Sequence, residues 1–183
     1  MTVKAYPDAK IAFASLSFNR TDEDQYLAAV AAHFAGVKNL TEAGVYVNAQ
    51  WLPDPFGVPL IVWYDHTQEE LDALTSSYLQ SLRNTGVDVA YHSTEYPSYL
   101  DMYSDQPSVQ DTAVGTYLFG GRLVPKALFE SEDGLQSLLD VVTTLIRNGE
   151  AGFFAAIPSI EKYPDNAILP AWRESLGLMV PIV

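Results

Sequence analysis

The chain has no cysteine among its 183 residues. That removes a disulfide framework, a thiolate nucleophile and any Cys-ligated metal or cluster, while leaving the redox compartment open. Histidine is scarce as well. His33, His66 and His92 are scattered, with neither an H-x-H nor an H-E-x-x-H spacing, so no metal site is expected. Cations are outnumbered, with 10 Lys plus Arg against 23 Asp plus Glu. The resulting net charge of -13 repels phosphate backbones and anionic lipid, so neither a nucleic-acid nor a membrane-surface role is expected. No apolar run approaches the ~18 to 20 residues of a membrane span. The N-terminal stretch Met1-Thr-Val-Lys-Ala-Tyr-Pro7 lacks the basic start, apolar run and cleavage site of a signal peptide, and a cytoplasmic location is the expectation. A Gly-x-Ser-x-Gly elbow and a Gly-rich phosphate loop are also missing, which leaves hydrolase and nucleotide-binding readings without support.

What is present fits a globular, enzyme-like domain: hydrophobic residues make up 48% of the chain, charged residues only 18%, and 11 tyrosines contribute to a high aromatic content. The length suits one compact domain over residues 1–183. Residues 11–18 read as a strand, and Thr21 followed by Asp22, Glu23 and Asp24 reads as a helix start, with acids meeting the positive end of the dipole. That helix carries Leu27, Val30, Ala31 and Phe34 on one face and is expected to stop at Gly36. Residues 44–52 and 56–64 flank Pro53-Asp-Pro55 and predict an antiparallel hairpin.

Thr67-Gln-Glu-Glu70 is a capping box for a second helix, which presents Leu71, Leu74, Tyr78 and Leu82 and ends at Asn84-Thr-Gly86. Alternation then predicts a strand through residues 87–94, broken by Pro97. Residues 98–110 show little periodicity. Residues 112–119 read as a strand leading into a turn at Gly120-Gly121-Arg122. Ser131 opens the clearest helix, with Leu135, Leu138, Leu139, Val142, Leu145 and Ile146 on one face, and residues 153–157 and 177–183 supply further strands. Helices interleaved with hairpins predict an α+β fold: a mostly antiparallel sheet of six or seven strands with helices packed on one face.

The other sheet face is where function is sought. Period-two alternation puts Val45, Val47, Ala49 and Trp51 on one side of their strand and Tyr46, Asn48 and Gln50 on the other. His92 and Thr94 oppose Val89 and Tyr91 by the same rule, and Tyr117 shares a side with Gly115 and Phe119. With the aliphatic sides under the helices, the opposite face is paved with Tyr, Asn, His and Thr, which suits a flat organic ligand. His92, Tyr46 and Asn48 are the catalytic candidates. An imidazole exchanges protons near neutral pH, and two polar groups at i, i+2 can grip one carbonyl or phenol. Tyr117, Thr94 and Gln50 are substrate-binding candidates. A partly exposed strand histidine without a role and ordinary cross-strand packing remain open alternatives for His92 and for the Tyr46–Asn48 pair. Tyr91, on the opposite parity, is expected to pack in the core.

Several stretches resemble one family: Val3-Lys-Ala-Tyr-Pro7, Tyr96-Pro-Ser-Tyr-Leu-Asp-Met-Tyr103, Gly121-Arg-Leu-Val-Pro125 followed by Leu128-Phe-Glu130, and Leu169-Pro-Ala-Trp-Arg-Glu-Ser175. In this order they are similar to the fungal berberine bridge enzyme-like flavin oxidases of the vanillyl-alcohol oxidase superfamily. Those enzymes insert a substrate domain, an antiparallel sheet backed by helices, between two parts of an FAD-binding domain. The resemblance implies that this chain corresponds to the substrate domain only, so no cofactor is expected on it. Arg122 lies in a resembling motif and joins the substrate-binding candidates on that ground, with a turn arginine paired to a nearby acid as the open alternative. The acidic catalytic base of plant-type members has no counterpart, because the matching stretch reads Gly152-Phe-Phe-Ala-Ala-Ile157.

The reading that follows is a stand-alone, flavin-free substrate domain that binds a small apolar natural product. It would catalyse a non-redox cyclisation or isomerisation as a cofactor-independent enzyme of secondary metabolism. Two alternatives stay open. One is a non-catalytic binding protein that dimerises through the exposed sheet face, and the other is a fragment of an FAD-dependent oxidoreductase.

Overall fold

In a computed structural model that describes residues 7–52, 54–106, 120–158 and 168–182, the sheet grows from capped helices and alternating strands. Strand β1 (Ile11–Phe18) leads to helix α1 (Glu23–Glu42) and then to the hairpin of β2 (Tyr46–Trp51) and β3 (Phe56–Tyr64). Helix α2 (Gln68–Arg83), strand β4 (Ala90–Tyr96) and the short helix α3 (Tyr99–Asp105) follow. Strand β5 (Arg122–Pro125), helix α4 (Glu132–Arg147) and strands β6 (Ala151–Ala156) and β7 (Ser175–Ile182) complete the described elements. All seven strands pair antiparallel in the order β4-β1-β3-β2-β6-β7-β5, an α+β fold. None of the described helices is long and apolar enough to cross a membrane.

The local signals explain the element starts. Thr67 Oγ1 accepts the Glu70 amide at 3.1 Å while Glu70 Oε2 accepts the Thr67 amide at 2.8 Å, the reciprocal pair that the capping box requires. Ser131 caps α4 with one half of such a pair: its hydroxyl accepts the Gly134 amide. At α1 the cap is Asp22 and not Thr21: its carboxylate accepts the Gln25 amide at 2.9 Å. Three amides later in the chain is the reach of a capping side chain, and moving the cap by one residue moves the helix start with it.

Helix α1 also runs six residues beyond Gly36, where a stop was expected. The glycine is there for packing. A Cβ at position 36 would lie 2.7 Å from Tyr78 Cδ2, so the missing side chain lets the Tyr78 ring of α2 press against the α1 backbone. Beside this contact His33 Nδ1 and the Tyr78 hydroxyl share a 2.7 Å hydrogen bond in the core, with His33 Nε2 buried and unpartnered. Burial pushes the His33 pKa down to about 3 and raises that of Tyr78, so both groups are neutral. Between the ends of α1 and α4, Glu23 accepts from Arg20 Nη2 and from Arg147 Nε, each at 3.0 Å; these two hydrogen bonds hold its carboxyl below the usual carboxylate range.

Helices α1, α2 and α4 cover one sheet face. Val47, Ala49 and Trp51 of β2, Ala12, Ala14, Leu16 and Phe18 of β1, and Phe154 of β6 meet them in the main core. Trp51 is fully buried and lies across Gly152, where a Cβ would sit 2.3 Å from the indole. Helix α3 was hidden in a stretch without clear periodicity. Its seven residues start at Ser98, which accepts the Asp101 amide, and its Met102 packs with Ile11 and Phe13 on the opposite sheet face. The expected strand at 112–119 lies outside the described residues. Arg122, expected in a turn, stands in β5.

Two stability measurements test this packing. Gly152→Ala is expected to lower the unfolding free energy by about 1–3 kcal/mol in urea titrations, because neither the indole nor the Val180 carbonyl 2.9 Å away has room to retreat. The unfolded chain takes up a proton at His33 below pH 6.5 while the folded chain keeps the ring neutral down to about 3. Stability is therefore expected to fall with pH below 6.5 by up to about 1.4 kcal/mol per unit, and a His33→Met variant followed between pH 7 and 5 should lose that part of the slope.

Candidate functional site

The register fixes which side chains share the second face. Ser15 pairs with His92 and Ser17 with Ala90 across β1 and β4, and Phe13 pairs with Thr94. Across the hairpin Tyr46 pairs with Val62, Asn48 with Leu60 and Gln50 with Gly57. Because partners in a ladder point the same way, His92, Thr94, Tyr46, Asn48 and Gln50 all stand on the face away from α1, α2 and α4. Tyr91 points to the helix side. Its hydroxyl donates to Asp72 Oδ1 at 2.7 Å, and burial raises its pKa to about 12.

Sharing a face is not sharing a site. Strands β4 and β2 are separated by β1 and β3, so His92 stands about 14 Å from the Tyr46–Asn48 pair at ~4.8 Å per strand. Two groups result. Tyr46 and Asn48 form one, in which Asn48 Nδ2 donates to the Tyr46 hydroxyl at 3.3 Å. Asn48 Oδ1 is buried and has no partner. The other is a shallow hollow of about 420 Å³ that runs across β4, β1, β3 and β2. His92 lines one end and Gln50 the other, with Ser15 and Ser17 between them and Leu52, Pro55 and Pro59 as apolar walls. Thr94 lies one residue pair further along β4, opposite Phe13.

The hollow has a cause in the backbone. The β1–β3 ladder slips between Ala14 and Leu16, and the β2–β3 ladder slips between Asn48 and Gln50. Both slips fall on residues 58–60 of β3, around Pro59. A proline in an interior strand cannot donate to the ladder, so the strand bulges there, and a bulge re-aims the side chains around it. Ser15, Ser17 and this bulge were not among the sequence candidates. Pro59 inside an otherwise regular strand was the signal that could have found them.

Arg122 is not on this face. It pairs with Met179, which belongs to the helix-side core, so its side chain stands on the far side of the sheet from His92 and Asn48. Tyr117 lies outside the described residues. His66, expected in a loop, stacks on Trp63 with ring centres 3.6 Å apart and is bonded to the Tyr64 carbonyl.

With this geometry in place, comparison with known proteins is informative. No family model matches the chain. An FAD-linked oxidoreductase of Neocamarosporium betae is 26% identical over 188 residues, covering 97% of this chain and 32% of that protein. A bifunctional decalin synthase of Penicillium decumbens is 24% identical over 185 residues, again covering 97% of this chain and 32% of the relative. Among solved structures, a VAO-type flavoprotein of Myceliophthora thermophila superposes with a TM-score of 0.78 at 17% identity, covering 95% of this chain and 33% of that one. A berberine bridge enzyme-like protein of Physcomitrella patens gives 0.61 at 12% identity, covering 96% and 38%.

By sequence the chain is a relative of fungal FAD-linked oxidoreductases, and its fold is that of one portion of the VAO-type, berberine bridge enzyme-like flavoproteins. It spans about a third of the length of these relatives.

Neither the helix N-termini nor the hollow fits FAD itself. A dinucleotide pyrophosphate is held by free helix N-termini or cations. Here α1, α2 and α4 each carry two acids in the first turn, Glu23 and Asp24, Glu69 and Glu70, and Glu132 and Asp133, behind an occupied cap. The hollow is lined by no lysine or arginine. Its chemistry is that of an apolar trough with a hydrogen-bonding group at intervals.

Asn48 offers a direct test of whether this face is built for stability. Replacing Asn48, whose buried carbonyl oxygen has no donor, with leucine is expected to leave the urea midpoint unchanged or raise it, by up to about 1 kcal/mol in unfolding free energy, the long hydrogen bond to Tyr46 being the smaller loss. A buried acceptor without a donor costs more than an apolar isostere.

Proposed function

We propose that the second sheet face binds a small, largely apolar natural product and promotes its cyclisation or isomerisation without net oxidation. The observation that carries this reading is the hollow over the β3 bulge, whose size and mix of apolar walls with His92, Ser15, Ser17 and Gln50 match a small-molecule site. Its length across four strands suits an extended ligand, held by His92 at one end and Gln50 at the other. The Tyr46–Asn48 pair stands nearby on the same face, joined by the hydrogen bond from Asn48 Nδ2 to the Tyr46 hydroxyl.

The relation to a protein named a decalin synthase supports ring formation as the chemistry. Holding a flexible chain in a folded, near-reactive shape lowers the barrier through entropy alone, by several kcal/mol where the fit is good, and needs no redox group. His92 would polarise or deprotonate a ligand group, and Asn48 and Gln50 would fix its orientation.

The test is incubation with linear polyene or quinone-methide candidates, followed by chromatography and mass spectrometry. A product of unchanged mass is expected. Turnover should fall at least about tenfold in His92→Ala and in Asn48→Leu, with circular dichroism unaltered. A product lighter by two hydrogens would point to oxidation. Unchanged binding and turnover in a variant lacking His92, Gln50, Asn48 and the Tyr46 hydroxyl together would show that the site lies elsewhere.

A further inference from the structure

A second concavity lies on the helix side of the sheet, away from the hollow. Helix α4 carries two apolar stripes. Leu138, Val142 and Ile146 are buried and belong to the core. Val141 is 53% exposed and Leu145 is partly exposed, so the core does not use the second stripe fully. Between that stripe and the β5–β7 edge runs a groove of about 530 Å³, floored by Val124 and Met179 and walled by Leu128, Val141 and Leu145. This volume is in the range of sites for small ligands.

Among the described residues, Arg122 is the only charged side chain lining the groove. Arg20 and Arg147 find Glu23 and Lys38 finds Glu42, whereas Arg122, like Lys10 and Arg83, is in no ion pair among the described residues. Among the described residues the Arg122 guanidinium has no such partner, and no acid lines the groove. The groove therefore combines an apolar channel with one unpaired, bidentate hydrogen-bond donor for a carboxylate.

We propose that this groove binds a monocarboxylate with an alkyl tail, the carboxylate on Arg122 and the tail along Val141 and Leu145. The site is independent of the ligand face: the two lie on opposite sides of the sheet, and either can fail without the other.

Decanoate and decanol serve as probes, and the methionines report position. Met179 lines the groove, whereas Met102 of α3 packs on the other face. In protein carrying carbon-13 methionine methyl groups, decanoate is expected to shift Met179 and leave Met102 in place. Calorimetry should show decanoate binding more tightly than decanol. Arg122→Gln should weaken decanoate about tenfold, the scale of losing a charge-assisted pair, with decanol unaffected. Val141→Asp, an exposed position that leaves the core intact, should weaken both. Shifts confined to Met102, equal affinity for acid and alcohol, or an Arg122→Gln variant with unchanged decanoate affinity would overturn the proposal. So would a Met179 shift that follows protein concentration alone, the sign of a second copy in the groove.

Discussion

The structure depends on the alternation of one strand. β2 is the fourth of seven in the sheet, and its residues divide strictly: Val47, Ala49 and Trp51 are buried under the helices, while Tyr46, Asn48 and Gln50 face the other way. A slip of one residue would exchange the two sets and place an amide where the indole lies. The indole against Gly152 ties β2 to β6, and the core contacts of Val47 and Ala49 tie it to the helices. The polar set inherits its position from this packing. Its side chains are held in place by contacts made on the other side of the same strand.

The same constraint explains what was legible in the sequence. Alternation is a local property, so the two-sided character of β2 and the placement of His92 and Thr94 were readable, as were the caps at Thr67 and Ser131. Features that arise only when elements meet were not. Gly36 looked like a helix end because a glycine's usual signal is backbone freedom, whereas here it makes room for a ring from another helix. Arg122 could not be assigned a face until its partner strand was known, since β5 is short and its pairing with β7 spans more than fifty residues. Helix α3 is too brief for a periodic pattern, and its one strong signal was the Ser98 cap. The candidates also proved to be two groups. Sequence parity reports which side a residue takes, and says nothing about how many strands lie between.

Charge organises the surface in a way that composition alone did not show. Six acids sit in the first turns of three helices, and one of them, Glu23, also joins the ends of α1 and α4 through two arginines. Such exposed pairs contribute little each. The acids of those first turns nevertheless close the helix N-termini to anions, so that the hollow offers hydrogen-bonding side chains without a lysine or arginine while the groove on the helix side offers Arg122.

The bulge at Pro59 leaves the floor of the hollow to Gly57, a residue with almost nothing within reach of an added side chain: only the Pro59 ring lies at 4.0 Å. Depth at that point is therefore set by a position that the core does not feel. Single substitutions at that point can deepen, fill or reshape the cradle while the folded scaffold stays the same, so the shape of the hollow is free to diverge faster than the architecture.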